Sequence, residues 1–481
     1  MKYDRVLLIS PNYGDVNSYP EHPASGLGYI AHVLKRNKIY YEVFDMGLNY
    51  SLIKLLKKIN QYKPDLIAVT MVTFSYKNTY SMFEKVKLNF PDIPIVVGGP
   101  HISTFREEAL KDCKAIDFGI VLEGDESMIE LCLGKEPGEI KGLIYRKNGE
   151  VLFDAERNFI LDLDSMGFPE YTGFEFSKYS TPGVIPIVTS RGCPYDCIYC
   201  PSESAIGKKF RQRSPQNMFD EINYWYKRGY TSFKILDDNF TLMKDRVNKF
   251  CELIEKSDIK NIKFALASGI RADKIDRELL ERLKNIGVYS LAFGVEAGNN
   301  KILKNIKKNE TIEEIRNAIK DACEIGLNVH LYFIIGSPGE TREDIEDSVK
   351  LSLDYPISYA NFYNLIPYPK TELFEWVKEN KYFVREPNEY LNDTSCYYNN
   401  PCISTPELNF EERKKVFEYL HNIAKEIKRR NVYKRLKRYF GIFGYIISLI
   451  YMSDFFQYFF KRNRFIMRFV YSIKHRLKLE K

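Results

Sequence analysis

Short apolar runs that resemble β-strands alternate with helix-like stretches in two separate parts of the chain. In residues 1–150 the strand-like runs include RVLLIS, YYEVFDM, PDLIAVTMV, IPIVVGG and IDFGIVLEG, and helix-like stretches such as GYIAHVLKRN lie between them. This alternation predicts an α/β fold with a parallel, doubly wound sheet, Rossmann-like, that carries helices on both faces.

Ligands of such a sheet bind beyond the carboxyl ends of its strands. Four strand ends are predicted here, after Ser10, Thr70, Val97 and Leu122. Gly98 and Gly99 follow one of them, where a glycine allows the backbone to approach a ligand closely. A tight strand-to-helix turn would explain the same pair, and the pattern alone favours that simpler interpretation.

The second alternation begins at IPIVTS and continues through SFKILDDN, IKFALASGIRAD, VYSLAFGVEAG, NVHLYFIIGSPGE and YANFYNLIP. Six strand-helix units in parallel order predict a partial barrel, in which catalytic groups cluster at the carboxyl ends of the strands. Between the two alternations, YRKNGEVLF predicts a hairpin at Asn148-Gly149, followed by an irregular linker. We therefore divide the chain into a first domain (1–140), a linker (141–180), a barrel (181–385) and a C-terminal helical region (386–481).

Length and composition restrict the class of protein. A chain of 481 residues with nine cysteines is too long for one ordinary core and is not a disulfide scaffold. The start, MKYDRVLLIS, lacks the apolar segment of a secretory signal, so we expect cytoplasmic, reduced thiols that serve metal or redox chemistry. From Lys425 to Lys481 there are sixteen Lys and Arg and three acids, which gives the tail a charge of +13. The total charge is +7, so residues 1–424 carry −6. This acidic body disfavours a nucleic-acid partner.

Three thiols lie in a short loop after the first predicted barrel strand, in SRGCPYDCIYCPS. Cys193, Cys197 and Cys200 have the spacing C-x-x-x-C-x-x-C, whereas a closed structural zinc site requires four ligands. Three thiolates are able to hold three irons of a four-iron, four-sulfur cluster and leave the fourth iron open. A zinc site that takes its fourth ligand from a distant His or Cys remains an alternative on spacing alone.

Several segments together resemble the radical S-adenosylmethionine enzymes. GCPYDCIYCPS is similar to the cluster loop of that family, and RSPQNMFDEI, LDDNF, GVEAGN and FIIGSPGET follow in the order of the subgroup with an amino-terminal cobalamin-binding domain. GLGYIAHVLKRNKIYYEVFDM, PDLIAVTMVTFSY, IPIVVGGPHIS and IDFGIVLEGDES match that domain in order. The resemblance covers roughly residues 1–385 and makes the zinc alternative a minor one.

The resemblance implies roles for individual barrel residues. Cys193, Cys197 and Cys200 would ligate a 4Fe-4S cluster whose fourth iron holds S-adenosylmethionine, and reduction would cleave this cosubstrate to methionine and a 5′-deoxyadenosyl radical. Further residues are assigned to the cosubstrate: Tyr199 beside the adenine, Arg271 at the carboxylate, Glu296 at a ribose hydroxyl, and Gly294, Gly298, Gly336 and Gly339 where the backbone passes closely. An ion pair at the barrel rim is the alternative for Arg271 or Glu296.

An acidic run, Asp237-Asp238-Asn239, follows the second barrel strand. We assign a catalytic role to Asp238, which would bind substrate or handle a proton at the barrel mouth. Because acids favour helix N-caps, capping of the next helix is the alternative.

The first domain would bind cobalamin at its strand ends, and we assign this role to Thr70, Gly98, Gly99, Glu123 and Gly124. The chain lacks the D-x-H-x-x-G stretch that supplies a histidine ligand to cobalt in methionine synthase, and His101 is expected to pack against the loop or the corrin edge. Members of the subgroup transfer a methyl group to a substrate radical, or form or rearrange rings. The sequence leaves these outcomes open.

The C-terminal region carries a basic amphipathic helix followed by GIFGYIISLIYMSDFFQYFF. A membrane-spanning helix needs about 20 apolar residues, and a central acid such as Asp454 costs roughly 2.5–3.5 kcal/mol. Aromatic residues flanked by Lys and Arg favour peripheral contact of residues 425–481 with the inner face of a membrane. The alternative is a helical cap that packs on the barrel.

We therefore predict a radical enzyme that modifies a hydrophobic small molecule, such as a lipid or an isoprenoid. It would be reduced by a ferredoxin or a flavodoxin. A membrane-associated binding or scaffold protein that retains the fold with a structural metal site is the alternative.

Overall fold

The first domain is built around a seven-stranded sheet. The structure is a computed structural model that describes residues 2–12, 20–453 and 456. In chain order the strands are β1 (Arg5–Ser10), β2 (Tyr40–Asp45), β3 (Leu66–Thr70), β4 (Ile95–Gly98), β5 (Phe118–Ile120), β6 (Leu143–Lys147) and β7 (Glu150–Phe153). The spatial order is β2-β1-β3-β4-β5-β6-β7, and the first five strands are parallel.

Helices cover both faces of this sheet, as the alternation predicted. They are α1 (Ser25–Arg36), α2 (Leu52–Tyr62), α3 (Tyr76–Asn89), α4 (Pro100–Phe105), α5 (Glu107–Asp112) and α6 (Asp125–Leu133). Alternate residues of one strand enter different cores: Val6 and Leu8 belong to one hydrophobic cluster, and Leu7 and Ile9 to another. A strand buried on both faces has to be apolar along its whole length, which explains the continuous run VLLI.

The predicted hairpin at Asn148-Gly149 forms, with both residues at positive φ. Its strands β6 and β7 pair with each other, and β6 also pairs antiparallel with β5, so the hairpin completes the first sheet. The sequence predicts a linker that begins at residue 141 and so includes β6 and β7. The difference arises because Leu143, Ile144 and Tyr145 are buried against the sheet and its helices.

The barrel contains the six predicted parallel strands. A short antiparallel pair, β9 (Ser190–Arg191) and β10 (Arg211–Gln212), lies beside its first strand. The barrel strands are β8 (Val184–Ile187), β11 (Ser232–Ile235), β12 (Lys263–Ile270), β13 (Val288–Glu296), β14 (Asn328–Ile335) and β15 (Tyr359–Asn364). Their spatial order is β15-β14-β13-β12-β11-β8, with every neighbouring pair parallel.

Helices of the barrel follow its strands, and several of them begin at side-chain caps. They are α7 (Ser202–Ile206), α8 (Pro215–Tyr226), α9 (Lys244–Glu255), α10 (Arg277–Asn285), α11 (Asn300–Asn305), α12 (Ile312–Ile325), α13 (Arg342–Asp354), α14 (Glu372–Glu379) and α15 (Pro387–Tyr390). Thr311 and Thr341 form capping boxes with Glu314 and Asp344, which satisfies backbone donors at the starts of α12 and α13.

A long helix, α16 (Phe410–Phe440), packs on the barrel beside β15. Its buried residues include Arg413, Val416, Phe417 and Leu420, so this part of the tail matches the alternative of a helical cap on the barrel. After Gly441, α17 (Phe443–Met452) returns along α16, and the rings of Tyr433 and Tyr445 lie 5.6 Å apart.

Among the described residues, no helix is both long and apolar enough to cross a membrane. Of the predicted membrane-contacting tail, residues 425–453 and 456 are described, whereas Asp454, Phe455 and residues 457–481 fall outside the described residues.

Candidate active site: two strand-end edges around one cavity

The three thiols occupy a loop at the carboxyl end of β8. The β9–β10 pair closes the base of this loop, and Gly192 adopts a φ of +87° there. A Cβ at Gly192 would lie 2.2 Å from the carbonyl oxygen of Lys209, so only glycine permits this close approach. Cys193, Cys197 and Cys200 are half-buried and in no disulfide.

Neighbouring polar groups contact all three sulfurs, with Tyr199 hydrogen-bonded to Cys197. The Asn239 side-chain amide donates to Cys193 Sγ at 3.0 Å, and Cys200 Sγ lies 2.9 Å from Ser202 Oγ. Burial raises the pKa of Cys197 to about 11, with Lys308 opposing the shift and Glu296 adding to it. Bound iron would therefore have to displace the thiol proton, as metals do when they coordinate cysteine.

The loop fits an iron-sulfur cluster better than a single metal ion. No group of three or more His, Cys, Asp or Glu side chains in residues 2–12, 20–453 and 456 converges on a point that would hold one ion. The thiolates of a cubane bind three different irons, so they need not converge. Three reduced cysteines in one partly open loop satisfy that requirement.

A buried charged cluster lies beside the thiols, at the ends of β13 and α11. Lys308 Nζ contacts Glu296 Oε1 at 3.1 Å and Glu310 Oε2 at 3.4 Å, and the Tyr199 hydroxyl hydrogen-bonds to Glu296. Glu296 has a φ of +66°, where the register of β13 against β14 shifts. Such strain in a non-glycine residue persists only where the surroundings enforce it and is concentrated at functional sites.

Arg271 is engaged by this same cluster. Its guanidinium donates to the carbonyl oxygens of Lys308 at 2.7 Å and Asn309 at 2.8 Å and to Asp273 at 2.9 Å, and it lies 3.6 Å from Glu310. These contacts correspond to the ion-pair alternative for Arg271. In this conformation the same contacts occupy the guanidinium donors that we assigned to the carboxylate of the cosubstrate.

The four assigned barrel glycines differ in what surrounds them. A Cβ at Gly298 would lie 2.2 Å from the backbone nitrogen of Ser348, and one at Gly336 would lie 1.4 Å from the guanidinium of Arg413. Packing of α13 and α16 thus requires these two glycines. At Gly294 a Cβ would meet Glu296 Oε1 at 2.8 Å, and at Gly339 it would meet the Asn305 amide at 3.1 Å. Among these four contacts, only that of Gly294 lies in the charged cluster.

The acidic run after β11 divides into two environments. Asp237 is buried and accepts hydrogen bonds from the Thr189 backbone at 2.6 Å and the Ser190 hydroxyl at 2.6 Å, so it fixes the approach to the thiol loop. Asp238 instead faces the cavity described below. Helix α9 begins at Lys244 with Met243 as its N-cap, so Asp238 does not cap it.

A cavity of about 310 Å³ lies between the two domains. The first domain lines it with the ends of its parallel strands, including Thr70, Gly98, Gly99, Glu123 and Gly124. The barrel lines it with residues beside the thiol loop, including Ser190, Arg191 and Asp238. All five residues assigned to cobalamin therefore share a chamber with the barrel mouth.

The first-domain side of this cavity fits a large ligand. A Cβ at Gly26 would meet no heavy atom within 4 Å, and one at Gly98 would approach only the Ile120 carbonyl oxygen, at 3.8 Å. Gly99 is different, because its φ of +101° and the Met71 carbonyl at 2.8 Å from a Cβ show a tight turn as well. Small side chains at this edge leave room for a corrin.

An ionic link across the domain boundary was missed by sequence reasoning. Glu123 Oε1 accepts from Arg191 at 2.8 Å and from Arg211 at 2.6 Å, while its other oxygen accepts from the Ile160 backbone at 2.7 Å. Despite the opposing effect of burial, these contacts lower the pKa of Glu123. Glu123 therefore ties the first domain to the strand pair beneath the thiols. The sequence signal was an arginine directly before the glycine of the cluster loop.

Two further groups lie near these strand ends. The sequence predicts a packing role for His101, whereas it gave no signal for Asp125. His101 is buried and stacks on Tyr76, and its Nε2 lies 2.8 Å from the Tyr80 hydroxyl, which agrees with the expected packing role. Burial lowers the pKa of His101 to about 3. Asp125 lines the cavity, and its Oδ1 has no hydrogen-bond partner among the described residues.

Family models match both domains. The Radical SAM superfamily model matches residues 187–352, and the B12 binding domain model matches residues 15–132. These two ranges contain the barrel strands β11 to β14 with the thiol loop and the strands β2 to β5 of the first sheet.

Similar proteins include a methyltransferase and a cyclase. The chain is 30% identical to an uncharacterised methyltransferase of Pyrococcus horikoshii, over 79% of this chain and 84% of the relative. It is 26% identical to the anaerobic magnesium-protoporphyrin IX monomethyl ester cyclase of Cereibacter sphaeroides, over 78% of this chain and 64% of that enzyme.

Two solved structures share the fold. The radical S-adenosylmethionine methyltransferase TsrM of Kitasatospora setae aligns with a TM-score of 0.68 at 18% identity, over 79% of this chain and 77% of TsrM. The cobalamin-dependent enzyme OxsB aligns with a TM-score of 0.73 at 16% identity, over 99% of this chain and 76% of OxsB. With the family matches and the Pyrococcus relative, these findings confirm the predicted fold class and its cofactors, a 4Fe-4S cluster, S-adenosylmethionine and cobalamin. This chain belongs to the cobalamin-dependent radical S-adenosylmethionine enzymes.

Proposed function

We propose that this enzyme transfers a methyl group to a carbon of a hydrophobic small molecule. The observation that carries the proposal is the single cavity bounded by the strand ends of the first domain and by the mouth of the barrel. When bound, the reduced cluster supplies the electron that cleaves S-adenosylmethionine, and cobalamin carries the methyl group. A chamber common to both sites lets a substrate carbon meet the radical source and the methyl carrier in one place.

The thiol loop and its neighbours would hold the radical source. Cys193, Cys197 and Cys200 would ligate the cluster, and Glu296, held by Lys308 at 3.1 Å, would accept a hydrogen bond from a ribose hydroxyl. Tyr199 borders the adenine. Gly294 keeps side-chain volume away from Glu296, and Gly298, Gly336 and Gly339 shape the adjoining strand ends. Arg271 would reach the cosubstrate carboxylate only after leaving the carbonyl groups of Lys308 and Asn309.

The first domain would hold the methyl carrier. Thr70, Gly98, Gly99 and Gly124 form the floor of the cavity, and Glu123 borders it from the domain boundary. Asp238 faces the chamber from the opposite side and is placed to bind substrate or accept a proton. Asp238 is exposed towards the cavity, yet desolvation by its neighbours, with the charge of Asp237 adding, raises its pKa to about 6. Its carboxylate is therefore a proton acceptor near neutral pH.

An assay without substrate tests methyl transfer. A methyl group carried by cobalamin has to come from S-adenosylmethionine, which then leaves as S-adenosylhomocysteine. Reduced holoprotein given S-adenosylmethionine with a deuterated methyl group is expected to form S-adenosylhomocysteine and to label its cobalamin. Formation of 5′-deoxyadenosine alone would contradict methyl transfer. Protein lacking cobalamin is the control.

Ring formation is the second candidate, favoured by the similarity to magnesium-protoporphyrin IX monomethyl ester cyclases of Cereibacter sphaeroides and Rubrivivax gelatinosus, at 26% and 28% identity. In either case the cluster requires an external reductant, and we propose a ferredoxin or a flavodoxin. The assay above separates the two candidates, because cyclisation consumes S-adenosylmethionine without producing S-adenosylhomocysteine.

The tail supports a further proposal, peripheral contact with a membrane. Apolar side chains of the α17 region are exposed, among them Ile442, Phe443, Ile446 and Ile450. Basic residues of α16 precede them, and such a combination binds anionic surfaces. The double substitution Ile446→Glu and Ile450→Glu is expected to reduce sedimentation with vesicles containing phosphatidylserine by about tenfold. Equal sedimentation of both proteins would overturn this proposal.

A further inference from the structure

Two arginines of the barrel hold one carboxylate of the first domain at the edge of the cavity. Glu123 Oε1 accepts from Arg211 at 2.6 Å and from Arg191 at 2.8 Å, and the side chain of Arg211 is only 3% exposed. Arg211 also donates to the carbonyl oxygen of Ile160 at 2.9 Å and lies 4.4 Å from the ring centroid of Phe159, so the same group holds the linker. Hydrogen bonds between ionised partners are stronger than neutral ones, and removing one buried partner leaves the other charge uncompensated.

This ionic contact lies at the start of the thiol loop. Arg191 comes two residues before Cys193, and in the β9–β10 pair it lies opposite Arg211. On the other side of the contact, Glu123 directly precedes Gly124, which lines the cavity. The start of the thiol loop is therefore joined to a turn that forms the floor of the proposed cobalamin site.

The end of the thiol loop is joined to the first domain as well. Helix α7 begins two residues after Cys200 and packs on α4, where Ser204 Oγ lies 3.2 Å from Thr104 Oγ1. Helix α4 in turn begins directly after Gly99, another residue of the cavity floor. This second contact joins two neutral hydroxyl groups, so the ionic contact at the start of the loop is the stronger of the two.

We propose that Arg191 and Arg211, acting through Glu123, are positioning residues that set the separation of the two cofactors. The inference rests on the proposed function, because methyl transfer requires the two sites to meet. Methyl uptake breaks the bond between sulfur and the methyl carbon, leaves its electron pair on sulfur, and takes the pair for the new bond from reduced cobalamin. Cleavage to 5′-deoxyadenosine needs the barrel edge alone. A misplacement of about 1 Å is able to lower a rate about 100-fold, so the separation governs methyl uptake more than cleavage.

The ratio of S-adenosylhomocysteine to 5′-deoxyadenosine, formed by the reduced holoprotein from one pool of S-adenosylmethionine, tests this proposal. Products are counted per bound iron and cobalamin. We expect Arg211→Met to lower the ratio about tenfold or more, and Arg211→Lys, which keeps the charge, to lower it less. Arg213→Met is the matched control and should leave the ratio unchanged. Arg213 is also 3% exposed and pairs with buried Glu221, but both partners belong to the barrel.

Two further variants test the route through the carboxylate. Arg191→Met changes the less buried arginine, 19% exposed, and should lower the ratio in the same direction even if Arg211→Met fails to fold. Glu123→Gln should lower it too, and adding Arg211→Met to Glu123→Gln should cause no further decrease, because both changes remove one contact. A further decrease of tenfold in the double variant would show that Arg211 does not act through Glu123.

Electron paramagnetic resonance gives a readout that does not depend on turnover. Magnetic coupling between the reduced cluster and paramagnetic cobalt depends steeply on their distance. We therefore expect altered coupling in Arg211→Met and Arg191→Met, and wild-type coupling in Arg213→Met. Unchanged coupling and an unchanged product ratio in the first two variants would overturn the proposal, and so would equal changes in Arg211→Met and Arg213→Met, which would indicate a structural role. Wild-type protein that forms no S-adenosylhomocysteine would instead reject methyl transfer, and the spectra would still test the separation.

Discussion

The parallel strands of the two sheets end near one cavity, and the two sets of strand ends differ in their chemistry. In the first domain these ends carry Gly98, Gly99 and Gly124, whose lack of side chains leaves volume for a large cofactor. In the barrel they carry thiols, the Glu296–Lys308 pair and Asp238, which we propose ligate the cluster, bind the cosubstrate and exchange a proton. The same strand topology thus serves two purposes. The strand ends of the first domain leave space for a cofactor, and those of the barrel supply reactive groups.

The largest expected effect comes from the barrel edge. Cys197→Ala should reduce iron from about four per chain to background and abolish 5′-deoxyadenosine formation, because a cubane loses a ligand. Cobalamin binding should remain within about twofold, since the first-domain edge is unchanged. Anaerobic reconstitution with iron and cobalamin analysis measures both. Loss of both cofactors together would show that the two edges do not act separately.

The reciprocal change fills the first-domain edge. Gly98→Leu should weaken cobalamin binding by about tenfold or more, because its side chain would project into open space in the cavity. The added methyl group of Gly98→Ala has room, so the cobalamin affinity of this variant should lie between those of Gly98→Leu and the wild type. Cobalamin absorbance after dialysis reports the effect, and iron content is the control. An unchanged affinity in the Leu variant would remove Gly98 from the cofactor site.

A smaller effect concerns pH. Asp238, with its pKa raised to about 6, is protonated below that pH, so the rate of 5′-deoxyadenosine formation should fall as the pH drops through about 6. The folded state binds this proton more tightly than the unfolded state does. The contribution of Asp238 to the free energy of unfolding should therefore decrease as the pH rises from about 4 to about 6. Asp238→Asn should flatten both profiles. A persistent inflection in the variant would assign it to another group.

The smallest effect on the chemistry is expected at Arg271. Since its guanidinium holds the carbonyl groups of Lys308 and Asn309, Arg271→Lys should lower the free energy of unfolding by about 1–3 kcal/mol. Affinity for S-adenosylmethionine should change less than about threefold. Thermal unfolding and isothermal titration measure the two quantities. A tenfold loss of affinity with normal stability would support the carboxylate role instead.

Local patterns predicted most of the fold and part of the site. Strands are recognisable from short apolar runs, because the residues that become buried are close together in the sequence. The three cluster cysteines, Cys193, Cys197 and Cys200, are likewise recognisable because they lie in one loop. Contacts between distant segments left no such signal. Gly336 is required by Arg413, which comes 77 residues later, and Glu123 is held by Arg191 and Arg211 from another domain. Which partner a charged residue finds is decided by tertiary packing.

The central claim, that both cofactors face one chamber, is tested most directly by electron paramagnetic resonance. The loaded protein is reduced until the cluster and the cobalt are both paramagnetic. Its spectrum is then compared with the sum of those of Cys197→Ala, which carries only cobalamin, and of wild type reconstituted without cobalamin, which carries only the cluster. We predict a spectrum altered by magnetic coupling between the two centres. A spectrum equal to the simple sum would contradict the shared chamber.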